Sequence, residues 1–404
     1  MMATLFNQPT TDVSDQIYDF NLLGKSQENI AKTSHILKYV KDNVEKTFLK
    51  HGGIFVETPL LVPKSKLFEN LRNVTTFIDH SGTQLCLPYN SRLSFARYIS
   101  RNNINNLRRY YFGKLYHDQK IHCSHPVAIW ECCFDIVTES HSVIIPVVEL
   151  IFIVMELVKE FPQTSQRNFY IQINHSDILK AIFIQNNFSE ELRRRVLEIL
   201  SSPHNKKNLL DNLKSIFMES ELQDHIIARI LHLFEFQGSL HKAKDVFQGL
   251  RKTKANISNL VKHAFSELER VIVLLNKMEL SIPVNLCTSL TSSSSYQSGI
   301  TFQVVAENAK KKKRGGLDIF AVGGCYNQLV ESFSKYAETS VLPTAVGVSI
   351  AVEKLLSGVA EELKEEGSVS NQQHNVVVYS TTNNVEMLMK VYIIPIYLVC
   401  LLTL

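Results

Sequence analysis

The feature that most constrains the fold is a long stretch, residues 176–278, whose helical periodicity separates two regions that carry strand patterns. Within it, apolar residues recur three and four positions apart and glycine is scarce, which is typical of amphipathic helices. On either side, residues 128–137 and 300–305 are apolar runs typical of buried strands. The pattern therefore predicts a sheet-containing core interrupted by an all-helical insert.

The flanking regions predict the elements of that core. Apolar spacing predicts an amphipathic helix at Ile30–Leu49 and a buried helix at Ile144–Phe161. Further strands are predicted at Asn168–Ile173 and Phe320–Val322, and a last helix from about Gly347 to Leu356. The predicted fold class is α/β (α+β), with an antiparallel sheet at its centre.

These patterns divide the chain into regions. Residues 1–28 are polar and mixed and are predicted to be a linker. The core is predicted at 29–175 and 279–366, the helical insert at 176–278, and the start of a truncated α/β unit at 375–404. The apolar end of that unit is shorter than the ~20 residues that cross a bilayer, so no membrane partner is expected. A tail anchor and a non-native end, the latter over 391–404, remain alternatives.

Net charge and cysteine content limit the cellular compartments and the binding partners that are expected for this chain. A formal charge of +4 and a pI near 8.5 are only mildly basic, below the pI of ~9 typical of a dedicated nucleic-acid domain. Any RNA contact must therefore come from local patches. The seven cysteines show no framework spacing and the N-terminus has no apolar signal region, which indicates a reduced, cytoplasmic protein.

One segment raises the question of a metal site. Its possible ligands are His122, Cys123, His125, Cys132 and Cys133. The repeated two-ligand spacing of structural zinc sites is missing there, so buried thiols are the better interpretation. The sequence predicts no metal site and no cofactor.

Four segments in order carry a recognisable pattern. They are HGGIFVETPLLVPKSKLF from His51, LRRYYFGKLYHDQK from Leu107, AVGGCYNQLV from Ala321 and VLPTAVGVSIAVEKLL from Val341. They resemble motif 1, motif 2, the histidine-binding segment and motif 3 of histidyl-tRNA synthetases. The resemblance implies a class II aminoacyl-tRNA synthetase-like core and a homodimer paired through motif 1. Gly323 and Gly324 are predicted to serve a tight turn, with a ligand contact as the alternative.

Most positions that the resemblance marks as catalytic hold other residues. His117 and Gln119 stand where motif 2 of the family has Arg and Glu, and Lys354 replaces the Arg of motif 3. The remaining replacements are Tyr89 for Glu, Ser292 for Arg, Ser295 for Asp, Cys325 for Arg and Asn327 for Asp. Amino-acid activation needs fixed cations where charge develops, so the resemblance predicts no catalytic residues and no ligase activity. An active or divergent histidine–tRNA ligase is the alternative.

A second set of segments narrows the resemblance. They are FIDHSG, LPYNSRLSFARYISRNNINNLRRY, ECCFDIVT, EFP and NHSDILKAI. In this order they resemble the synthetase-like domains of the general control kinases, which phosphorylate the alpha subunit of eukaryotic translation initiation factor 2 in amino-acid starvation. The resemblance covers about residues 1–385 and implies deacylated tRNA as ligand, an upstream kinase domain and the ribosome as a further partner. The chain itself contains no kinase signature.

Two regions are predicted to contact tRNA. The candidate residues are Lys114, Tyr116, His117, Lys120 and His122 of the motif 2 loop, with Lys311 and Lys312 of the basic run 310–316. Unpaired bases stack on Tyr and His, and lysines neutralise phosphates. For the basic run a solvated hairpin loop is the alternative, and cations of the helical insert are expected mostly on wet helix faces.

A function of a different class also remains open, namely a dimerisation scaffold without an RNA role. Titration with deacylated tRNA at two salt concentrations separates them. Phosphate contacts lose affinity steeply as salt rises, whereas a scaffold binds at neither concentration.

Overall fold

The computed structural model describes most of the chain between Ile30 and Glu365. The described ranges are 30–64, 74–117, 127–139, 142–161, 164, 167–201, 206–280, 282–291, 298–307, 317–334 and 342–365. The predictions for 1–28, for the basic run 310–316 and for 375–404 lie outside them. Among the described helices, none combines the length and the apolar character that a membrane span requires.

The strands of the described chain range from two to twelve residues. They are β1 (Ile54–Phe55), β2 (Val62–Pro63), β3 (Thr76–Ile78), β4 (Gln84–Cys86), β5 (Leu107–His117), β6 (Val127–Thr138), β7 (Phe169–His175), β8 (Gln237–Gly238), β9 (Val284–Cys287), β10 (Ile300–Glu307), β11 (Leu317–Cys325) and β12 (Thr344–Ile350). A large sheet has the order β1-β5-β6-β12-β11-β10-β7-β9-β8, and a small sheet has the order β2-β4-β3.

Neighbouring strands of the large sheet run antiparallel, except for the parallel pairs β1–β5 and β7–β9. The predicted mixed α/β class with an antiparallel sheet is therefore confirmed.

The helices of the described chain alternate with these strands along the sequence, and several of them follow one another between β7 and β9. They are α1 (Ile30–Lys50), α2 (Ser91–Arg101), α3 (Ile144–Glu160), α4 (Ser176–Gln185), α5 (Glu190–Ser201), α6 (Lys206–Glu219), α7 (Asp224–Glu235), α8 (Leu240–Val246), α9 (Gln248–Arg251), α10 (Ala255–Lys277), α11 (Asn327–Ser334) and α12 (Val352–Glu365). The predicted helices at Ile30–Leu49 and Ile144–Phe161 are confirmed within one residue at each end.

Helix α3 forms the centre of the core. It is apolar on nearly every side, with eleven buried residues, and it packs against α1, α10 and strands β10, β11 and β12. Pro146 lies in the first turn, where a missing backbone N–H breaks no helical hydrogen bond. Full burial of an Ile, Leu or Val side chain contributes ~1.5–3 kcal/mol, so this helix is a main source of stability.

A second apolar cluster lies beneath the small sheet. Helix α11 packs on α2, and Phe95 and Ile99 of α2 are fully buried with Val330 of α11. Asn90 begins α2 because its side chain accepts a hydrogen bond from the Arg92 amide at 2.8 Å. The first turn of α2 contacts the large sheet, since the Ser91 amide donates to Glu131 of β6.

Among the described residues of 176–278, helices and the turns between them are interrupted by one strand. Gln237 and Gly238 form β8, which pairs with Leu286 and Cys287 of β9 at the sheet edge. The prediction of a purely helical stretch missed these residues because two positions are too few for strand alternation to register. The division into domains stays a prediction.

Motif 3 differs from its prediction at its start. Residues 347–350 belong to β12, and the helix begins at Val352. Gly347 pairs with Asp135 of β6 on one side and Gly324 of β11 on the other. Hydrogen bonding on both sides holds this segment extended, which a periodicity measured along one strand cannot reveal.

The chain clusters into two compact units, Met1–Val359 and Ala360–Leu404. The first contains both sheets and the helices α1 to α11. Of the second, the described residues are those that end α12, through Glu365.

Candidate functional site

Adjacent strands bring the motif segments together. Motif 2 lies on β5, which pairs with β6 over its whole length, and β6 pairs with β12 of motif 3. Strand β12 pairs in turn with β11, which carries the segment from Ala321. Segments separated by about two hundred residues therefore form one continuous surface.

A buried ion pair lies at the centre of this surface. The Arg109 and Asp135 side chains are both 0% exposed, and Arg109 Nη1 lies 3.1 Å from Asp135 Oδ2. Arg109 Nε also donates to the Val56 carbonyl at 3.1 Å, and the guanidinium lies 4.2 Å from the centre of the Phe95 ring. Because two charges leave water here, every remaining hydrogen bond to them matters for stability.

Tyr326 and Arg92 complete the shell around Asp135. The Tyr326 hydroxyl donates to Asp135 Oδ1 at 3.1 Å, and Arg92 Nε lies 3.6 Å from the same oxygen. Burial, together with the nearby Asp135 carboxylate, raises the pKa of Tyr326 well above its usual value. Tyr326 therefore stays a neutral hydrogen-bond donor, and Arg92 lies over its ring at 5.4 Å.

Arg92 also connects to a second carboxylate. Its Nη2 donates to Ser349 Oγ at 3.3 Å, and Ser349 Oγ donates to Glu131 Oε1 at 3.2 Å. The Ser91 amide donates to Glu131 Oε2 at 3.1 Å. Two carboxylates and two guanidinium groups thus balance each other in a buried charged cluster, which we call the pocket.

Two glycines allow this close packing. A Cβ at Gly347 would overlap Asp135 Oδ1 and would lie 3.0 Å from Arg92 Nε. A Cβ at Gly323 would overlap the Phe302 ring. Gly323 and Gly324 lie inside β11, so the predicted tight turn is wrong, and the structural reason for Gly323 is the close approach of Phe302.

The replaced motif 2 position is held by its own surroundings. His117 stacks on Tyr89, with ring centroids 4.4 Å apart and planes 25° apart. His117 Nε2 donates to the Tyr89 carbonyl at 3.0 Å. The His117 and Tyr89 side chains therefore contact each other and do not extend into solvent.

The replaced motif 3 position is held in an ion pair. Lys354 Nζ lies 2.7 Å from Asp318 Oδ1, and Arg167 Nη1 lies 2.7 Å from Asp318 Oδ2. In the segment from Ala321, burial raises the pKa of the Cys325 thiol to about 12. Cys325 therefore supplies no charge where the resemblance marks an Arg.

The predicted tRNA-binding residues divide between the two faces of β5. Lys114 and Tyr116 share one face because strand side chains alternate, whereas His117 lies on the opposite face with Leu115. Lys114 is exposed, and its Nζ lies 5.5 Å from the centre of the Trp130 ring, its cross-strand partner. The other predicted contacts, Lys120, His122, Lys311 and Lys312, lie outside the described residues, as do Gln119, Ser292 and Ser295.

Sequence reasoning missed the pocket's central residues, which are Arg92, Arg109, Glu131, Asp135 and Ser349. One signal was available, because Asp135 stands inside an apolar strand sequence, ECCFDIV, where an acidic residue is costly without a partner. The partner itself comes from another strand and could not be identified by spacing.

The chain matches known proteins over most of its length. The family profile described as Histidyl-tRNA synthetase matches residues 31–355. The human eIF-2-alpha kinase GCN2 is 33% identical over 380 residues, which cover 94% of this chain and 23% of the kinase. The chain thus spans about a quarter of that relative's length. The mitochondrial histidine–tRNA ligase of Saccharomyces cerevisiae is 26% identical over 358 residues, covering 82% of this chain and 64% of the ligase.

A solved structure supports the fold. The crystal structure of histidyl-tRNA synthetase from Nostoc sp. PCC 7120 matches with a TM-score of 0.64 at 17% identity, covering 90% of this chain and 76% of that one. The predicted class II synthetase-like fold is therefore confirmed.

Proposed function

The chain belongs to the histidyl-tRNA synthetase family, and from that premise we propose that it is a non-catalytic regulatory segment that binds deacylated tRNA and controls an eIF-2-alpha kinase. The kinase domain would lie elsewhere in a longer protein, because the chain aligns over 94% of its length with only 23% of the human kinase, and its upstream position is an expectation from the resemblance. Such a segment would act in the cytoplasm, where translation initiation is regulated.

The proposal that the chain is non-catalytic rests on the contacts of the residues that replace the family's catalytic arginines. His117 is stacked on Tyr89, and Lys354 is paired with Asp318. Activation of an amino acid requires preorganised cations directed at the reacting phosphate, because they stabilise the charge of the transition state. Groups that are engaged with their own neighbours make poor stabilisers of that charge.

The contacts of Arg92 also argue against binding of an amino-acid substrate. An amino-acid substrate brings an α-ammonium group, which needs a carboxylate partner. The pocket carboxylates Glu131 and Asp135 already compensate Arg92 and Arg109. A free amino acid would therefore have to displace an internal cation.

The tRNA-binding part is supported by the exposed face of β5. Lys114 lies beside Trp130, so a cation and a flat ring are available together, which suits a phosphate and an unpaired base. The strand leads into the segment with Lys120 and His122. Lys311 and Lys312 would add backbone contacts that do not depend on base sequence.

Homodimerisation through motif 1 is part of the proposal. Large apolar side chains are exposed around this segment, namely Leu49 (59%), Ile54 (58%), Phe55 (45%), Leu60 (54%) and Leu61 (47%). A cluster of exposed apolar residues is typical of a protein–protein interface. The ribosome stays a prediction from the resemblance.

Two assays test the proposal together. ATP–pyrophosphate exchange with histidine should be absent, with an authentic histidine–tRNA ligase as the positive control. Deacylated tRNA should bind, and its affinity should fall steeply between ~50 and ~200 mM salt. Exchange activity would favour the second candidate, an active ligase. The 26% identity to the yeast histidine–tRNA ligase is the observation that favours this candidate.

A variant pair locates the tRNA contact. Replacing Lys120 and His122 by Ala should weaken tRNA binding by ~1–2 kcal/mol, because a stacking or phosphate contact is lost. Lys38→Ala is the matched control, since Lys38 is an exposed lysine of α1 paired with Asp42. Unchanged affinity in the double variant would move the contact to the basic run or to the helical stretch.

A further inference from the structure

A cluster of histidines and carboxylates lies where the helical stretch meets the large sheet. His175 ends β7, Asp177 lies in the first turn of α4, and His263 and Glu267 lie one turn apart on α10. None of these residues lies in the four synthetase motifs, and His175 and Asp177 belong to the NHSDILKAI segment. The strand, the following helix and the distant helix α10 bring them together.

The His175 and His263 imidazoles lie between the Asp177 and Glu267 carboxylates. Asp177 Oδ2 is 3.0 Å from His263 Nδ1 and 3.8 Å from His175 Nδ1. Glu267 lies behind both rings, with Oε2 3.0 Å from His175 Nε2 and Oε1 3.7 Å from His263 Nε2. Both Nδ1 atoms therefore face one carboxylate, and both Nε2 atoms face the other.

We propose that His175, Asp177 and His263 form a binding site for a divalent transition metal of the zinc class. The ligand atoms would be His175 Nδ1, Asp177 Oδ2 and His263 Nδ1, and one ligand atom from each residue can be chosen so that all lie within 4.8 Å of one another. Ligands ~2.0 Å from a tetrahedral zinc lie ~3.3 Å apart, close to the 3.0 and 3.8 Å separations from Asp177. Three protein ligands leave a fourth position for water.

Glu267 supplies the second layer of such a site. A histidine that binds metal through one nitrogen usually donates its other N–H to a carboxylate, which orients the ring and raises its basicity. The 3.0 Å contact from His175 Nε2 to Glu267 has this form.

Existing contacts define what the metal must displace. The His175 side chain caps α4 by accepting a hydrogen bond from the Asp177 amide at Nδ1, at 3.1 Å, and metal binding would replace this hydrogen bond. Lys180 contacts the other carboxylate oxygen, Asp177 Oδ1, at 3.1 Å, and Oδ2 contacts His263 Nδ1 at 3.0 Å, so a metal would also replace this second contact.

The cluster is anchored at one end and open at the other. The side chain of His175 is 1% exposed and that of Asp177 13%, whereas that of His263 is 59% exposed. The exposed imidazole gives a metal ion a path from solvent. Ser176 is held between them by Gly299, whose amide donates to Ser176 Oγ at 2.8 Å. A bound metal would thus connect α10 directly to β7 and to the start of α4.

The test uses the full 404-residue chain without a polyhistidine tag, stripped of metal and titrated with Zn²⁺ against a chromophoric chelator. We expect one tightly held Zn²⁺ whose X-ray absorption fine structure shows nitrogen and oxygen ligands at ~2.0–2.1 Å. His263→Ala should lose this ion, and Glu267→Gln should bind it ~10–100-fold more weakly. His232→Ala is the matched control, an exposed helical histidine on α7 that should bind as the wild type does.

Three results would overturn the proposal. They are equal zinc uptake by the wild type and by His263→Ala, sulfur ligands at ~2.3 Å that reveal cysteine binding, and no uptake at all. Because His263 is exposed, its replacement is expected to leave the fold intact, and circular dichroism of the variant checks this.

Discussion

Two regions of the molecule place arginine beside carboxylate in opposite surroundings. In the pocket, the Arg109 and Asp135 side chains are 0% exposed. On α5, Arg194 contacts Glu191 and Glu198, and all three side chains are more than half exposed. Water screens the second set, whereas the first depends on its own partners for all compensation of charge. The difference indicates which arginines position other groups and which mainly keep a helix face hydrated.

The largest expected effect comes from breaking the buried pair on one side. Asp135→Ala leaves Arg109 buried without its counter-ion and should lower the free energy of unfolding by ~3–5 kcal/mol. Urea denaturation followed by circular dichroism measures this loss. Glu198→Ala is the exposed counterpart and should leave the midpoint nearly unchanged. Similar small losses in both variants would show that the pocket pair is screened after all.

A second, smaller effect tests how tightly the pocket is packed. Gly347→Ala directs a methyl group into Asp135 Oδ1 and should cost ~1–3 kcal/mol of stability through overpacking. Gly249→Ala on α9 is the matched control, because a Cβ there meets nothing within 4 Å. That control should be neutral or stabilising by up to ~1 kcal/mol. Thermal and urea denaturation of both variants make the comparison, and equal stability would contradict the packing argument.

A third prediction concerns acid. Burial raises the pKa of Asp177, but the neighbouring His175 and Lys180 outweigh it, so the net pKa is lowered. The pKa of Glu267 is lowered as well. A depressed folded-state pKa gives stability that is present above the unfolded value of ~4 and is lost as pH falls through the folded value.

The urea midpoint measured at about pH 6 and at about pH 3 tests this dependence. The double variant Asp177→Asn with Glu267→Gln should lose less stability over that interval than the wild type does. An identical pH profile in the two proteins would show that other carboxylates carry the acid sensitivity.

The smallest expected effect is at the exposed end of the comparison. Arg194→Ala removes a surface group whose two ion pairs are screened by solvent, so no measurable change in the unfolding midpoint is expected. Differential scanning calorimetry at low and high salt is the measurement. A clear loss at low salt that disappears at high salt would assign α5 a cooperative charge network.

Much of the fold could be predicted because its signals are local. Helix α1 and strand β6 have spacing patterns that a short window of sequence contains, and their predicted bounds were correct within two residues. The helix predicted at residues 347–350 was wrong, because their extended conformation depends on pairing with β6 and β11 on either side. Strand β8 could not be predicted because two residues are too few to show strand alternation.

The candidate site divides in the same way. The replaced positions His117 and Lys354 could be identified from motif order, but their partners Tyr89 and Asp318 in the folded protein could not. The separation of His263 from Asp177 by 86 positions hides that cluster from any spacing rule. Lys120, His122, Lys311 and Lys312 stay predictions from the sequence.

By itself, the sequence determined the strand and helix patterns, the order of the motifs and the loss of the family's charged positions, because each of these is a property of residues near one another along the chain. Only the tertiary structure decided that Arg92 and Arg109 share the carboxylates of the pocket, and that His175 and His263 face one Asp177 oxygen. Those contacts depend on which strands pair and which helices pack, and burial then sets how strongly each charge needs its partner.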